Sequence, residues 1–171
     1  MTVPVRSRLG AGLRRLGDPS PSAATTDAGP GDPAPTILVV DDEDLVRRYT
    51  SRVLVHAGFG VVQVDNGGDA LSLLIDEPDG FALVVSDVVM PWLDGPELAA
   101  HAVRVAPKVP FLFMTNAAGA SPQRLPRGAA VLPKPFSAPA LIARVRDLIR
   151  RGEALADPPA PPRRPSEAAA G

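Results

Sequence analysis

The sequence predicts an α/β protein, a doubly wound parallel sheet with helices on both faces. Two observations carry that reading. Five short runs in the middle of the chain are continuously apolar, as strands buried on both faces must be, and segments with helical apolar spacing separate them. Right-handed crossovers then bring every strand-to-helix loop to one edge of the sheet, where open α/β sheets bind ligands.

The elements follow in order. "TILVV" (Thr36 to Val40) is a fully apolar strand. Asp44 to Ala57 reads as a helix with Leu45, Val46, Tyr49, Val53 and Leu54 along one side. "GVVQV" (Gly60 to Val64) is the second strand, followed by a short helix from about Gly68 to Asp76 with Ala70, Leu71, Leu74 and Ile75 inward. "FALVVS" is the third strand, and Pro96 to Val105 is a helix with Pro96 suited to its first turn. "VPFLFM" (Val109 to Met114) and "AAVL" (Ala129 to Leu132) are the fourth and fifth strands. Ser137 to Arg151 closes the series as a helix, with Leu141, Ile142, Val145, Leu148 and Ile149 apolar and arginines outside.

Composition narrows the function. Of 171 residues, 45% are hydrophobic and 22% charged, as in an ordinary globular domain, and the net charge of −1 asks for neither nucleic acid nor an anionic membrane. Absence of cysteine excludes disulfides, thiolate chemistry and cysteine-ligated zinc. No apolar run approaches a membrane span and the N-terminus lacks the apolar core of a secretory signal, so a cytoplasmic location is expected. Residues 1–35 and 152–171 are rich in Pro, Gly, Ser and Ala and are expected to be disordered tails flanking a domain over 36–151. Val5, Leu9, Leu13 and Leu16 stand at helical spacing among arginines, but Gly10, Gly12 and Gly17 argue against a basic amphipathic helix there.

Chemistry gathers after the strands. The first ends in Asp41-Asp42-Glu43-Asp44, the third in Asp87, the fourth in Thr115-Asn116 and the fifth in Pro133-Lys134-Pro135-Phe136. With the first and third strands adjacent, Asp41, Asp42 and Asp87 converge, and carboxylates that close need a cation. Oxygen-only ligands select a hard ion such as Mg²⁺. Lys134 adds a positive charge and Thr115 a hydroxyl donor, a set able to hold phosphoryl oxygens around a carboxylate nucleophile. Taken alone, each has a plainer role: a helix cap for the Asp pair, a strand-end donor for Thr115, a solvated Lys134.

In order and spacing, "ILVVDDEDLVRR", "SDVVMPWLDG", "FMT" and "PKPF" resemble the receiver domain of bacterial two-component response regulators, over about Thr36 to Arg151. The resemblance implies a flavodoxin-like, CheY-like fold with strand order 2-1-3-4-5. It implies that Asp87 is the phosphoacceptor, that Asp41, Asp42, Asp87 and the backbone carbonyl of Val89 bind Mg²⁺, and that Thr115 and Lys134 contact the phosphoryl group. It also implies a cis bond at Lys134-Pro135, a linkage where cis is accessible. The expected partners are a sensor histidine kinase or a histidine phosphotransfer protein and an unknown downstream protein target. The expected form is a monomer or weak dimer without nucleic acid or membrane. No DNA-binding segment is evident, which suggests a stand-alone regulator in a phosphorelay that is not itself an enzyme.

Three departures from the family pattern bear on mechanism. Val131 stands where the family often has an aromatic residue that moves with the Thr. Pro122 and Pro126 cannot both sit inside a stable helix, so the fourth helix is expected to be shortened or partly disordered. Val89 and Ala117, two residues beyond Asp87 and Thr115, cannot orient an attacking water, which suggests a long-lived acyl phosphate. Two other readings compete, a degenerate receiver acting as an interaction module and a Mg²⁺-dependent aspartyl phosphatase. The phosphatase needs a second Asp where Val89 stands. A flavodoxin-like cofactor binder is opposed by acidic residues in place of a phosphate loop after the first strand.

Overall fold

A computed structural model describes residues 14–16, 34–116, 125–126 and 128–152. Its strands are β1 (Arg14–Leu16), β2 (Thr36–Val40), β3 (Gly60–Val64), β4 (Leu83–Asp87), β5 (Phe111–Thr115) and β6 (Ala130–Pro133). Its helices are α1 (Asp44–His56), α2 (Gly67–Asp76), α3 (Gly95–Val105) and α4 (Ala138–Arg151). The sheet order is β1-β3-β2-β4-β5-β6. From β3 to β6 all neighbours are parallel, so the five predicted strands stand in the order 2-1-3-4-5.

Alternation along each strand feeds two cores. Leu38, Val40, Val62, Val64, Val84, Phe111 and Phe113 pack with Ala70, Leu73 and Leu74 of α2 and Leu98, Ala99 and Ala102 of α3. The intervening residues Ile37, Val39, Val61, Leu83, Val85, Leu112 and Met114 pack with Leu54 of α1 and Leu141, Val145 and Leu148 of α4. Both faces are covered, which is why these strands show no polar alternation. No described helix is long and apolar enough to cross a membrane.

Four expectations need correction. Residues 14–16, assigned to a disordered tail, add β1 antiparallel to β3, with Arg14 opposite Gln63 and Leu16 opposite Val61. A strand that joins an open edge through its backbone needs no side-chain pattern, so composition could not reveal it. Of the other tail residues the structure describes 34–35 and 152. The rest, the remainder of the basic segment, and residues 117–124 and 127 where the shortened fourth helix is expected, Ala117 and Pro122 among them, lie outside the described residues.

In α1, Leu45 and Tyr49 are exposed, whereas Thr50, Ser51 and Leu54 are buried. Their hydroxyls allow this: Ser51 donates to Gln63 Oε1 at 3.0 Å, and Thr50 Oγ1 lies 3.8 Å from Met114 Sδ. Ile75 is likewise exposed, and Leu73 takes the buried place in α2. The β4, β5 and β6 ladders also run one residue further than the apolar runs, because backbone pairing continues through Asp87 opposite Met114 and Thr115 opposite Pro133.

Candidate functional site

That extension of the ladders positions the site. Asp87 and Thr115 are the last residues of β4 and β5, held by the sheet itself, while Asp41 and Lys134 are the first residues beyond β2 and β6. Backbone bonds continue the lattice past the strand ends. The Asp41 N–H donates to the Val64 carbonyl at 3.3 Å, Val88 to Met114 at 2.9 Å and Lys134 to Thr115 at 2.8 Å. Lys134-Pro135 is cis, as expected.

Lys134 Nζ sits between two carboxylates, 2.9 Å from Asp41 Oδ2 and 2.7 Å from Asp87 Oδ1. The Asp41 side chain is fully buried, and its other oxygen accepts from the Glu43 N–H at 2.9 Å. Asp87 and Lys134 keep 11% of their side-chain surface exposed. Asp87 Oδ2 accepts from the Val89 N–H at 3.1 Å. Burial raises the Asp41 carboxyl above its ordinary value against the lowering pull of Lys134 and Glu43. For Lys134, burial acts to lower the ammonium, but hydrogen bonds to Asp87 and Asp41 outweigh it and hold the group above the usual lysine value.

The structure therefore brings together Asp41, Asp87 and Lys134 but not every predicted residue. Asp42 is exposed, and among the described residues no three acidic or histidine side chains form a cluster able to hold a metal ion. Thr115 is buried, and its hydroxyl donates to the Asn116 carbonyl at 2.9 Å. Val131, opposite Phe113 on the last strand, is half-buried. The donor set nonetheless suits a hard divalent cation. Asp41 and Asp87 offer carboxylate oxygens, and two carboxylates against one ammonium leave an uncompensated negative charge.

Sequence reading missed the supports. Arg47 Nη1 donates to the Asp41 carbonyl at 2.8 Å while its Nη2 bonds Asp44, tying α1 to the acidic turn. Ser86 Oγ donates to the Asp87 carbonyl at 2.9 Å. Asp94 and Glu97 form a capping box at the start of α3, with each side chain accepting from the other residue's N–H. The Asp-x-x-Glu spacing signals that cap. Gly95 is required because a Cβ there would strike the Asp87 carbonyl. The i,i+3 pairing of Asp44 with Arg47 was open to a helix spacing rule, but no spacing rule points to the bonds that Arg47 and Ser86 make to backbone carbonyls.

Residues 37–146 match the family model of the response regulator receiver domain. The response regulator receiver protein CpdR of Brucella abortus (strain 2308) is 36% identical over 122 residues, spanning 70% of this chain and 94% of that protein. The sensor kinase CckA of the same strain is 36% identical over 119 residues, 68% of this chain but 13% of the kinase. A crystal structure of the receiver domain from the hybrid histidine kinase CckA superposes with a TM-score of 0.58 at 32% identity, covering 67% of this chain and 98% of that one.

Proposed function

The chain belongs to the response regulator receiver domain family, and we propose that it accepts a phosphoryl group on Asp87 from a phosphohistidine of a sensor kinase or phosphotransfer protein. The observation that carries this reading is Lys134 held between a buried Asp41 and an edge-placed Asp87. In the transfer, the donor's N–P bond breaks as a P–O bond forms to an Asp87 carboxylate oxygen. The histidine nitrogen keeps the bonding pair. Such a transfer requires positioning and charge neutralisation rather than a general base, because a carboxylate is already a nucleophile at neutral pH.

Each residue then has a part. Lys134 exchanges its bond to Asp87 for one to a phosphoryl oxygen while keeping Asp41. The Thr115 hydroxyl turns from the Asn116 carbonyl to donate to another. Asp41, Asp42, Asp87 and the Val89 carbonyl would hold Mg²⁺, which would offset the charge of the phosphoryl oxygens. Val131 has no ring to swing with Thr115, so the signal reaches a downstream protein by another route. Val89 cannot orient water, which gives the acyl phosphate a long life. Val89 stands where the phosphatase reading needs a second Asp, so the chain acts as a signalling protein of a phosphorelay rather than as a phosphatase.

The test is transfer from a panel of autophosphorylated histidine kinases and phosphotransfer proteins. One donor is expected to label wild type rapidly and Asp87→Asn not at all. Equal labelling of both proteins contradicts the reading.

A further inference from the structure

Trp92 is the one large apolar side chain among the described residues that lies wholly in solvent, at 100% exposure. It is also the one non-glycine residue among them at positive φ, 69°. The Leu93 N–H donates to the Pro91 carbonyl at 2.8 Å, which closes a three-residue turn centred on Trp92. This is the positive-φ form of the γ-turn, rare and strained, and a bulky residue there is a steric outlier where glycine would be at ease.

The turn persists because its flanks leave it no alternative. Pro91 fixes its own φ, and Leu93 packs on the α2/α3 core. The capping box begins at Asp94, and the Gly95 N–H donates to the Val88 carbonyl at 3.2 Å. Trp92 is thus costly in backbone conformation and gains nothing from burial. Neither folding term accounts for it, and strain of this kind concentrates at functional sites.

Its place in the fold suggests the use. The turn belongs to the loop that leaves Asp87, with Val89 54% exposed between them. Asp87 is mostly buried, so a protein donor must bring its imidazole close and cover the surrounding rim. A downstream target or a second copy of this chain faces no such demand. We propose that Trp92 is a docking anchor for the phosphohistidine-bearing donor protein, with its ring seated in an apolar pocket of the donor and Val89 in the same footprint. Exposed Trp residues that become buried on binding are the side chains most enriched among those that dominate interface affinity. The proposal rests on the reading of Asp87 as the acceptor.

The test compares a protein donor with a small one. Wild type and Trp92→Gly are phosphorylated by the histidine kinase or phosphotransfer protein that labels wild type fastest, and separately by phosphoramidate with Mg²⁺. Glycine suits the positive φ, so Trp92→Gly is expected to melt no lower than wild type. With the protein donor, its kcat/KM should fall at least about tenfold, mainly through KM, and Trp92→Phe should recover part of the loss. With phosphoramidate, the two should agree within about twofold, since no docking is involved.

Unchanged transfer from the protein donor overturns the proposal. So does an equal loss with both donors, which would mean that Trp92 acts on the geometry of Asp87. Loss of self-association in sedimentation with transfer intact would assign the ring to a second copy and also overturn it. Failure of phosphoramidate to label wild type at Asp87 would instead overturn the acceptor reading beneath it.

Discussion

The loops that carry the two central carboxylates are built differently. After β2, the chain turns directly into α1. Asp41 is fully buried there, held by its own turn through Glu43, by Lys134 and, at its carbonyl, by Arg47. After β4, the chain makes a longer excursion through Val89, Pro91 and Trp92 before the capping box starts α3. Asp87 keeps one oxygen on Lys134 and some access to solvent. Both acids share one ammonium, but one is enclosed and the other approachable. That contrast supports the proposed division of roles, in which Asp41 would fix charge and Asp87 would react.

Several substitutions test that division. The largest effect is expected at Asp87→Asn, which should abolish acyl phosphorylation by phosphoramidate, whereas Asp41→Asn should slow it by about 10- to 100-fold with Asp87 still the labelled residue. Labelling rates with residue mapping check both. Lys134→Ala leaves two buried carboxylates unpaired and should destabilise the fold by about 3 kcal/mol, as measured by urea unfolding. An unchanged midpoint would show that the bridge does not hold the edge together. Mg²⁺ at tenfold over its Kd should raise the melting temperature of wild type by about 3–5 °C, reversibly with EDTA. Asp41→Asn and Asp87→Asn should each lose most of that gain.

The smallest effect is in pH dependence. Burial raises the folded Asp41 carboxyl above the unfolded value of 3.8. Between 3.8 and the higher folded value, the native state holds a proton that the unfolded chain has released, so this group's contribution to stability falls as pH rises through the window. Metal-free Asp41→Asn should therefore show a flatter stability profile there. An identical slope in the two proteins would place Asp41 in a less buried setting.

The sheet was legible because strands buried on both faces must be apolar throughout, and order and spacing placed Asp41, Asp87, Thr115 and Lys134 at one edge. Other features depended on information that no local pattern contains. Leu45 and Tyr49 share α1's apolar stripe with Leu54, yet buried Thr50 and Ser51 rotate the helix away from them by finding partners in Met114 and Gln63. Arg47 and Ser86 support the site through backbone carbonyls, which any sequence provides. β1 pairs its backbone with the edge strand β3, and pairing of that kind requires no side-chain pattern. Asp42 looks equivalent to Asp41 in the sequence, but the turn buries the first and exposes the second.

We propose that the approachable carboxylate is the acceptor and the enclosed one is not. Peptide mapping by mass spectrometry after phosphoramidate and Mg²⁺ treatment tests it most directly. The prediction is a single hydroxylamine-sensitive acyl phosphate on Asp87, persisting for minutes or longer. An adduct on Asp41 or Asp42, or none on Asp87, would contradict it.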